Sequence, residues 1–237
     1  MSNKLDLEDI KEKMQAKLEP SGWARILKGY IYSKDFDDVV ITLAKQVRDG
    51  KRFTPTMKNW FRALEECPYD NLKVVIVGQD PYPTLDIADG IAFSHNSNNS
   101  LQPSIKYILD AIEREQYPEG GYRRDPDLTR WANQGVLLIN TALTTTVNKV
   151  GQHYLIWKPF IAYLFDWLSW HNPGLVYIFM GKKASEWADT INDNCHKFHL
   201  THPAAASYNN YNEWYSDDVF TKTKKIVKDL HNFDLIW

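Results

Sequence analysis

The sequence predicts an α/β protein with a central, mostly parallel four-stranded sheet flanked by helices on both faces. Four short apolar runs, at 72–77, 135–139, 174–180 and 197–201, each stop at a glycine or a polar residue, as buried strands do. Helix-periodic segments separate these runs, and regular alternation of strand and helix is typical of parallel sheets. A chain of 237 residues can build one substantial core, and without an evident linker we expect a single domain over residues 1–237.

The first 70 residues are predicted to be largely helical and packed on that core. Leu5, Ile10 and Met14 have the spacing of one apolar helix face. The first strand follows and opens directly into Gly78-Gln79-Asp80-Pro81-Tyr82-Pro83. A turn this rich in specialised residues, at the carboxyl end of a core strand, lies where open α/β sheets bind ligands.

The remaining elements follow in alternation. A loop containing Gly90-Ile91-Ala92-Phe93 precedes a helix that begins near Ser104, directly after Pro103. The Pro-, Gly- and charge-rich segment 116–128 is predicted to be a loop. We further expect the second strand to end at Asn140, the third at Gly181 and the fourth at His202-Pro203, with helices over 159–170, 184–191 and 216–230.

Composition excludes several classes of function. The formal net charge of −2 gives no overall basic field for nucleic acid, so such binding would need a local patch. Lys182-Lys183 and the lysines at 222, 224 and 225 are candidates, although each set taken alone is better explained as a solvated helix surface. Two cysteines indicate a reducing compartment, and without an apolar membrane span we expect an intracellular, cytoplasmic protein, or a nuclear one if the source is eukaryotic or viral.

Parallel strands would bring Asp80, Asn140, Gly181 and His202 to one edge of the sheet. Taken singly, Asp80 could cap a turn, Asn140 could form one, and His202 could be a structural histidine. A carboxylate, an amide and an imidazole together at the ligand-binding edge indicate a functional site.

The single carboxylate narrows the chemistry of that site. Hydrolysis of an O-glycoside usually needs a second carboxyl group to protonate a poor leaving group. One aspartate is sufficient if the leaving group departs as a stabilised anion held by an imidazole or a backbone donor. A nucleobase that leaves through its ring nitrogen fits this description, and Asn140 could read its edge.

The ordered motifs of the chain resemble those of uracil-DNA glycosylases of the family 1 type. The matching segments are Gly78–Pro83, Gly90–Ser94, Gly135–Thr141 and His202-Pro203, in the family's order and spacing from about residue 60 onwards. This resemblance implies an enzyme that flips uracil out of DNA, cleaves its N-glycosidic bond and leaves an abasic site, as in base excision repair. It implies no cofactor and no metal.

The resemblance also implies a role for each matched residue. Asp80 would orient or activate the attacking water, and His202 would donate to uracil O2 as charge develops there. Asn140 would select uracil by its amide, Tyr82 would exclude the thymine methyl group, and Phe93 would stack on the base. The backbone of Gln79 would complete the pocket.

Short loops are implied to grip the DNA backbone and offset the cost of flipping the base. These candidates are Pro83, Gln102, Pro103, Ser104, Gly181, Lys182, Ala206 and Ser207, with the helix N-terminus behind Ser104 assisting. The expected partners are uracil-containing single- or double-stranded DNA and a protein inhibitor that mimics uracil or DNA. We expect a monomer and no membrane association.

Three positions depart from the family pattern. Pro83 stands where histidine is commonest, which removes one polar contact to DNA. Ala206 stands where a leucine usually fills the gap left by the flipped base, so we expect a weakened preference for duplex DNA. The segment 208–214 either supplies Tyr211 or Trp214 as a substitute stacking group or packs as an aromatic loop on its own helix.

Other interpretations are weaker. His196, His199 and His202 beside Cys195 suggest a metal site, but three-residue spacing on a strand points His196 and His199 to opposite faces. A nucleotide-binding protein would be expected to carry a Gly-x-Gly-x-x-Gly or a phosphate loop after the first strand. A catalytically impaired DNA- or partner-binding relative of the same fold stays open, although Asp80, Asn140 and His202 are all in place.

Overall fold

The computed structural model describes residues 6–95, 101–208 and 213–237. Its α-helices are α1 Leu7–Leu18, α2 Ala24–Ile31, α3 Lys34–Arg48, α4 Arg62–Glu66, α5 Pro103–Gln116, α6 Thr129–Ala132, α7 Tyr154–His171, α8 Lys182–Ser185, α9 Ala205–Tyr208 and α10 Val219–His231. Its strands are β1 Phe53–Thr54, β2 Val74–Gly78, β3 Val136–Asn140, β4 Thr145–Thr146, β5 Val176–Met180 and β6 His196–Leu200.

Four strands form the central sheet in the order β3-β2-β5-β6, and all neighbouring pairs are parallel. The register places Gly78 opposite Asn140 and Met180 opposite Leu200, so the carboxyl ends of the strands lie together. Strands β2 and β5 are buried along their whole length, as continuous apolar runs in a covered parallel sheet should be. The predicted sheet and its four strands are confirmed, with ends shifted by one or two residues.

The described part of the first 70 residues contains α1 to α4. Met14 is buried and Ile10 is half-buried on α1, whereas Leu5 lies outside the described residues. Helix α3 packs on α7, and α4 packs beside β3. The rings of Phe61, Trp157 and Phe160 contact one another at this junction with centroid distances of 5.4–6.3 Å. Helices α6, α8 and α10 contribute further contacts to β3 and β5.

Some element boundaries differ from the prediction. Helix α7 begins at Tyr154, not Pro159, and runs through that proline. Proline removes one intrahelical hydrogen bond, but burial of Trp157 and Phe160 on either side of it stabilises the continuous helix. The helix predicted over 184–191 is divided into α8 and a short 3-10 turn, Ala188–Thr190. The two-residue antiparallel pair β1–β4 was not predicted from the sequence.

None of the helices in the described ranges is long and apolar enough to cross a membrane. Within those same ranges, no group of three His, Cys, Asp or Glu side chains is arranged to hold a metal ion. His196 and His199 are both exposed on β6, where His199 stacks on Phe179 at a centroid distance of 5.6 Å.

Candidate active site

A groove of about 540 Å³ opens at the carboxyl ends of β2 and β6. Nine residues predicted for the site from sequence line it: Gln79, Asp80, Tyr82, Pro83, Phe93, Gln102, Pro103, Ser104 and His202. Asn140 lies in a smaller recess that shares Tyr82 and Phe93 with the groove. The parallel register therefore brings the carboxylate, the amide and the imidazole to one place.

Asp80 is held by the backbone of a distant loop. The Gly151 N–H donates to Asp80 Oδ2 over 2.6 Å. Burial raises the pKa of the Asp80 carboxyl, while the Gly151 N–H and the Gln79 side chain act in the opposite direction by hydrogen bonding to the charged form. The carboxylate is thus partly withdrawn from water and fixed in orientation.

His202 is constrained to one neutral tautomer. The Ala204 N–H donates to His202 Nδ1 over 3.2 Å, so Nδ1 is the acceptor and the ring proton resides on Nε2. Burial lowers the pKa of the imidazole, which favours the neutral form. The structure therefore presents an N–H donor, rather than a cation, to the groove.

Two glycines make room for these side chains. A Cβ on Gly78 would lie 2.3 Å from Asn140 Oδ1 and 3.1 Å from the Phe93 ring, so only glycine admits both side chains there. Gly181 has φ of +102°, and its Cβ would approach the His202 Cβ to 3.1 Å. The close approach of strand and side chain at Gly78 explains why β2 ends in glycine.

Phe93 and Tyr82 form the wall of the pocket. Phe93 adopts φ of +66°, a left-handed conformation that is uncommon for an aromatic residue and recurs at functional sites. Its ring lies 6.1 Å from the His202 ring, centroid to centroid. The Tyr82 hydroxyl donates to the Phe93 backbone carbonyl over 2.9 Å, which ties the Tyr82 side chain to the Phe93 backbone.

The outer rim carries the predicted DNA-binding residues. Gln102 is the N-cap of α5, followed by exposed Pro103 and buried Ser104 in its first turn. Gly181 precedes α8, and exposed Lys182 begins that helix. Lys182 forms no ion pair with any described residue, whereas its neighbour Lys183 pairs with Glu186 at 2.9 Å.

The segment after His202 presents two alanines to the groove. Ala204 and Ala205 line it, whereas Ala206 is 4% exposed and is not among the lining residues. Ser207 is exposed.

The two candidate stacking residues of this segment have different outcomes. Trp214 is buried and donates from Nε1 to the Thr201 carbonyl over 3.0 Å, so it is not an intercalating group. Tyr211 lies outside the described residues.

Sequence reasoning missed two parts of the site. Gly151 acts through its backbone N–H, which every residue except proline possesses, so side-chain type gave no signal. Val150, next to it, is 57% exposed and lines the groove together with His202, Ala204 and Ala205. An exposed valine near the half-buried Asp80 is visible only once the loop is placed.

Fold and site together define an α/β protein with a groove at the carboxyl edge of its parallel sheet, lined by a carboxylate and a neutral imidazole and adjoined by a recess that contains an amide. Residues 64–231 match the family model of the uracil DNA glycosylase superfamily. The chain belongs to this superfamily, which confirms the resemblance of its motifs.

Curated relatives agree over most of their length. A uracil-DNA glycosylase of Aliarcobacter butzleri is 34% identical, with 77% of this chain and 85% of the relative covered. A uracil-DNA glycosylase of Borrelia turicatae is 32% identical, with 92% and 97% covered.

Solved structures share the fold. Mimivirus uracil-DNA glycosylase superposes with a TM-score of 0.84 at 24% identity, covering 99% of this chain and 90% of that one. A mimivirus UNG variant in complex with UGI has a TM-score of 0.81 at 24% identity, with coverage of 91% and 87%. UNG from Nitratifractor salsuginis has a TM-score of 0.61 at 20% identity, with coverage of 92% and 95%.

Proposed function

We propose that the protein is a DNA-repair hydrolase that excises uracil from DNA and leaves an abasic site. The observation that carries this proposal is the groove in which Asp80 and the Nε2–H donor of His202 face a recess containing Asn140. Membership of the uracil DNA glycosylase superfamily supports the same activity.

The reaction replaces one bond at the sugar by another. The bond from uracil N1 to the sugar C1′ breaks, and its electron pair leaves with the base. The water oxygen bonds to C1′, and one of the two water protons passes to solvent. The departing uracil anion can in turn be protonated from solvent. Asp80, oriented by Gly151, positions this water and stabilises the positive charge that develops on the sugar.

The leaving group is stabilised by a donor that is already in place. As N1 departs, negative charge accumulates on uracil O2, where a neutral imidazole can donate from Nε2. Because the Ala204 N–H occupies Nδ1, no tautomer change is needed during the reaction. A fixed donor aimed at developing charge is worth about 3–4 kcal/mol where single donors have been removed from comparable sites.

Selection of uracil follows from the recess. The Asn140 amide can accept from the base N3–H and donate to O4, whereas cytosine presents the reversed pattern and would leave buried groups unpaired. Tyr82, tied to Phe93, restricts the space beside ring position 5 and disfavours the thymine methyl group. The Phe93 ring supplies the stacking face.

The DNA backbone is gripped by the rim of the groove. Gln102, Pro103 and Ser104 lie at one side, with Gly181 and Lys182 at the start of α8 and Ser207 in α9. Pro83 and the Ala204–Ala206 segment offer little polar or bulky surface. Lys182, which forms no ion pair within the described part of the chain, and the exposed side chain of Val150 therefore become more important. We therefore propose that single-stranded substrates are used at least as well as duplex ones.

The protein acts as a single-domain monomer inside the cell on this proposal. A DNA-mimicking protein inhibitor would block the same groove, in keeping with the complex of a mimivirus UNG variant with UGI.

The test is a glycosylase assay on oligonucleotides that contain one uracil, thymine or cytosine, in single- and double-stranded form. Wild-type protein should release uracil alone, and Asp80→Asn should reduce the rate roughly 10³-fold while still binding the oligonucleotide. Equal uracil release by both proteins, or release by neither, would refute the proposal; the second result would indicate a non-catalytic DNA binder.

A further inference from the structure

A buried carboxylate, that of Asp89, lies near the pocket but does not line the groove. Asp89 is 4% exposed. Its Oδ1 accepts from the Ile91 N–H over 3.0 Å, and its Oδ2 accepts from the Ser94 hydroxyl over 2.8 Å. The carboxylate thus closes the loop that contains Phe93 from both ends.

Arg62 holds this carboxylate from the opposite side. Its Nη1 lies 2.7 Å from Asp89 Oδ2 and also donates to the Asp89 carbonyl over 3.3 Å. Its Nη2 donates to Thr129 Oγ1 over 2.8 Å. One guanidinium therefore joins α4, the Phe93 loop and α6, which a point-charge lysine could not do with the same geometry.

The loop between these contacts has almost no freedom. A Cβ on Gly90 would lie 2.1 Å from the Asn59 carbonyl oxygen, so the chain passes directly over the start of α4. The Ser94 hydroxyl is itself fixed, because the Leu128 N–H donates to it over 3.2 Å. Phe93 retains its left-handed backbone because the contacts at 89, 91 and 94 leave it no alternative.

We propose that Asp89, clamped by Arg62, is a positioning residue that sets the stacking face and the gate of the uracil pocket. Neither residue lines the groove or the recess that contains Asn140. Asp89 fixes the backbone of Phe93, and the Phe93 carbonyl in turn accepts the Tyr82 hydroxyl hydrogen bond. The proposal rests on the proposed function and extends it to a pair outside the groove.

The test uses competitive inhibition by free uracil and free thymine beside the rates of excision. Asp89→Asn keeps the size of the side chain but turns an amide N–H towards donors and leaves Arg62 without its counter-charge. We expect kcat/KM to fall about 100-fold. The inhibition constant for uracil should rise at least tenfold, while that for thymine changes less, so the preference of uracil over thymine narrows.

A matched control separates positioning from general destabilisation. Val227→Ala removes two buried methyl groups from α10, away from the groove, and should lower the melting temperature without changing either inhibition constant. If Asp89→Asn does not fold, Ser94→Ala and Arg62→Lys weaken the clamp while keeping the Asp89 carboxylate and should shift the same ratio more mildly.

The outcomes are distinguishable. Wild-type protein that releases uracil, with clamp variants that behave like Val227→Ala, overturns the clamp and leaves the proposed function standing. Wild-type protein that neither releases nor binds uracil refutes both proposals.

Discussion

The uracil pocket and the rim that surrounds it are built on different principles. In the pocket, side chains are fixed by short backbone contacts: Gly151 to Asp80, Ala204 to His202, and Phe93 to Tyr82. The rim consists of short loops, the small side chains of Ala204 and Ala205, and Lys182, which forms no ion pair with any described residue.

This difference separates catalysis from grip. Shifts of a few tenths of an ångström are enough to weaken the interactions in the buried pocket, and salt has little effect on them. Contacts of exposed cations with phosphates act over longer distances, and salt screens them beyond about 10 Å at moderate ionic strength. Changes in the pocket should therefore alter the rate of the chemical step, and changes at the rim should alter binding of DNA.

Among changes that leave the catalytic and clamp residues intact, the largest effect is expected from adding one methyl group in the pocket. Gly78→Ala places a Cβ 2.3 Å from Asn140 Oδ1 and must displace the amide that reads the base. We expect kcat for uracil release to fall roughly 10²-fold, because a misplacement of about 1 Å has effects of this size. Single-turnover assays measure it.

The matched control for this change is Gly29→Ala, in α2. There the added Cβ meets the Tyr163 hydroxyl, which donates to the Ile26 carbonyl, at 3.0 Å, and no residue of the groove. Equal rates in Gly78→Ala and wild type would contradict the placement of Asn140 against β2.

A second prediction concerns the loop that presents Gly151 to Asp80. The Trp157 indole donates to Thr144 Oγ1 over 2.8 Å, and the same oxygen lies 2.8 Å from His153 Nδ1. His153 Nε2 lies 3.0 Å from Gln46 Oε1 and 3.2 Å from Thr146 Oγ1, so polar side chains contact both ring nitrogens. Burial lowers the pKa of His153 to about 4.

Because the unfolded state binds this proton more readily, stability conferred by neutral His153 is complete above about pH 6.5 and is lost as pH falls towards 4. The free energy of unfolding should fall on the order of 3 kcal/mol across that window. Urea unfolding of His153→Gln should show a flatter pH profile than wild type. The exposed His196→Gln variant should retain the wild-type profile, and an identical profile for His153→Gln would refute the network.

At the rim, Lys182→Ala should weaken binding of a uracil-containing single strand several-fold without changing kcat. The plot of log affinity against log salt should lose about 0.7 of slope, the value for one phosphate contact to a single strand. Lys183→Ala is the control, since its ammonium group already pairs with Glu186. The prediction fails if both lysines contribute equally.

The smallest effect is expected from restoring bulk beside His202. Ala205 lines the groove, whereas Ala206 is buried, so Ala205→Leu enlarges the surface that contacts DNA and Ala206→Leu overpacks the core. Ala205→Leu should raise the duplex-to-single-strand rate ratio a few-fold. An unchanged ratio would show that this segment does not fill the space left by a flipped base.

What the sequence predicts well is whatever depends on side-chain type and strand direction. Continuous apolar runs identify the four strands, and their parallel arrangement places Asp80, Asn140 and His202 together. Less accessible is whatever depends on backbone atoms or local packing. No sequence pattern indicates that the Gly151 N–H donates to Asp80, that Ala206 is buried, or that α7 continues through Pro159.

Salt dependence most directly tests whether the pocket controls catalysis and the rim controls DNA binding. It is measured on uracil excision, separately for kcat and for KM. On single-stranded substrate, raising salt from about 50 to about 200 mM should increase KM about tenfold, as for a few phosphate contacts, and leave kcat unchanged. A kcat that falls in step with rising KM, or a KM insensitive to salt, would contradict the account.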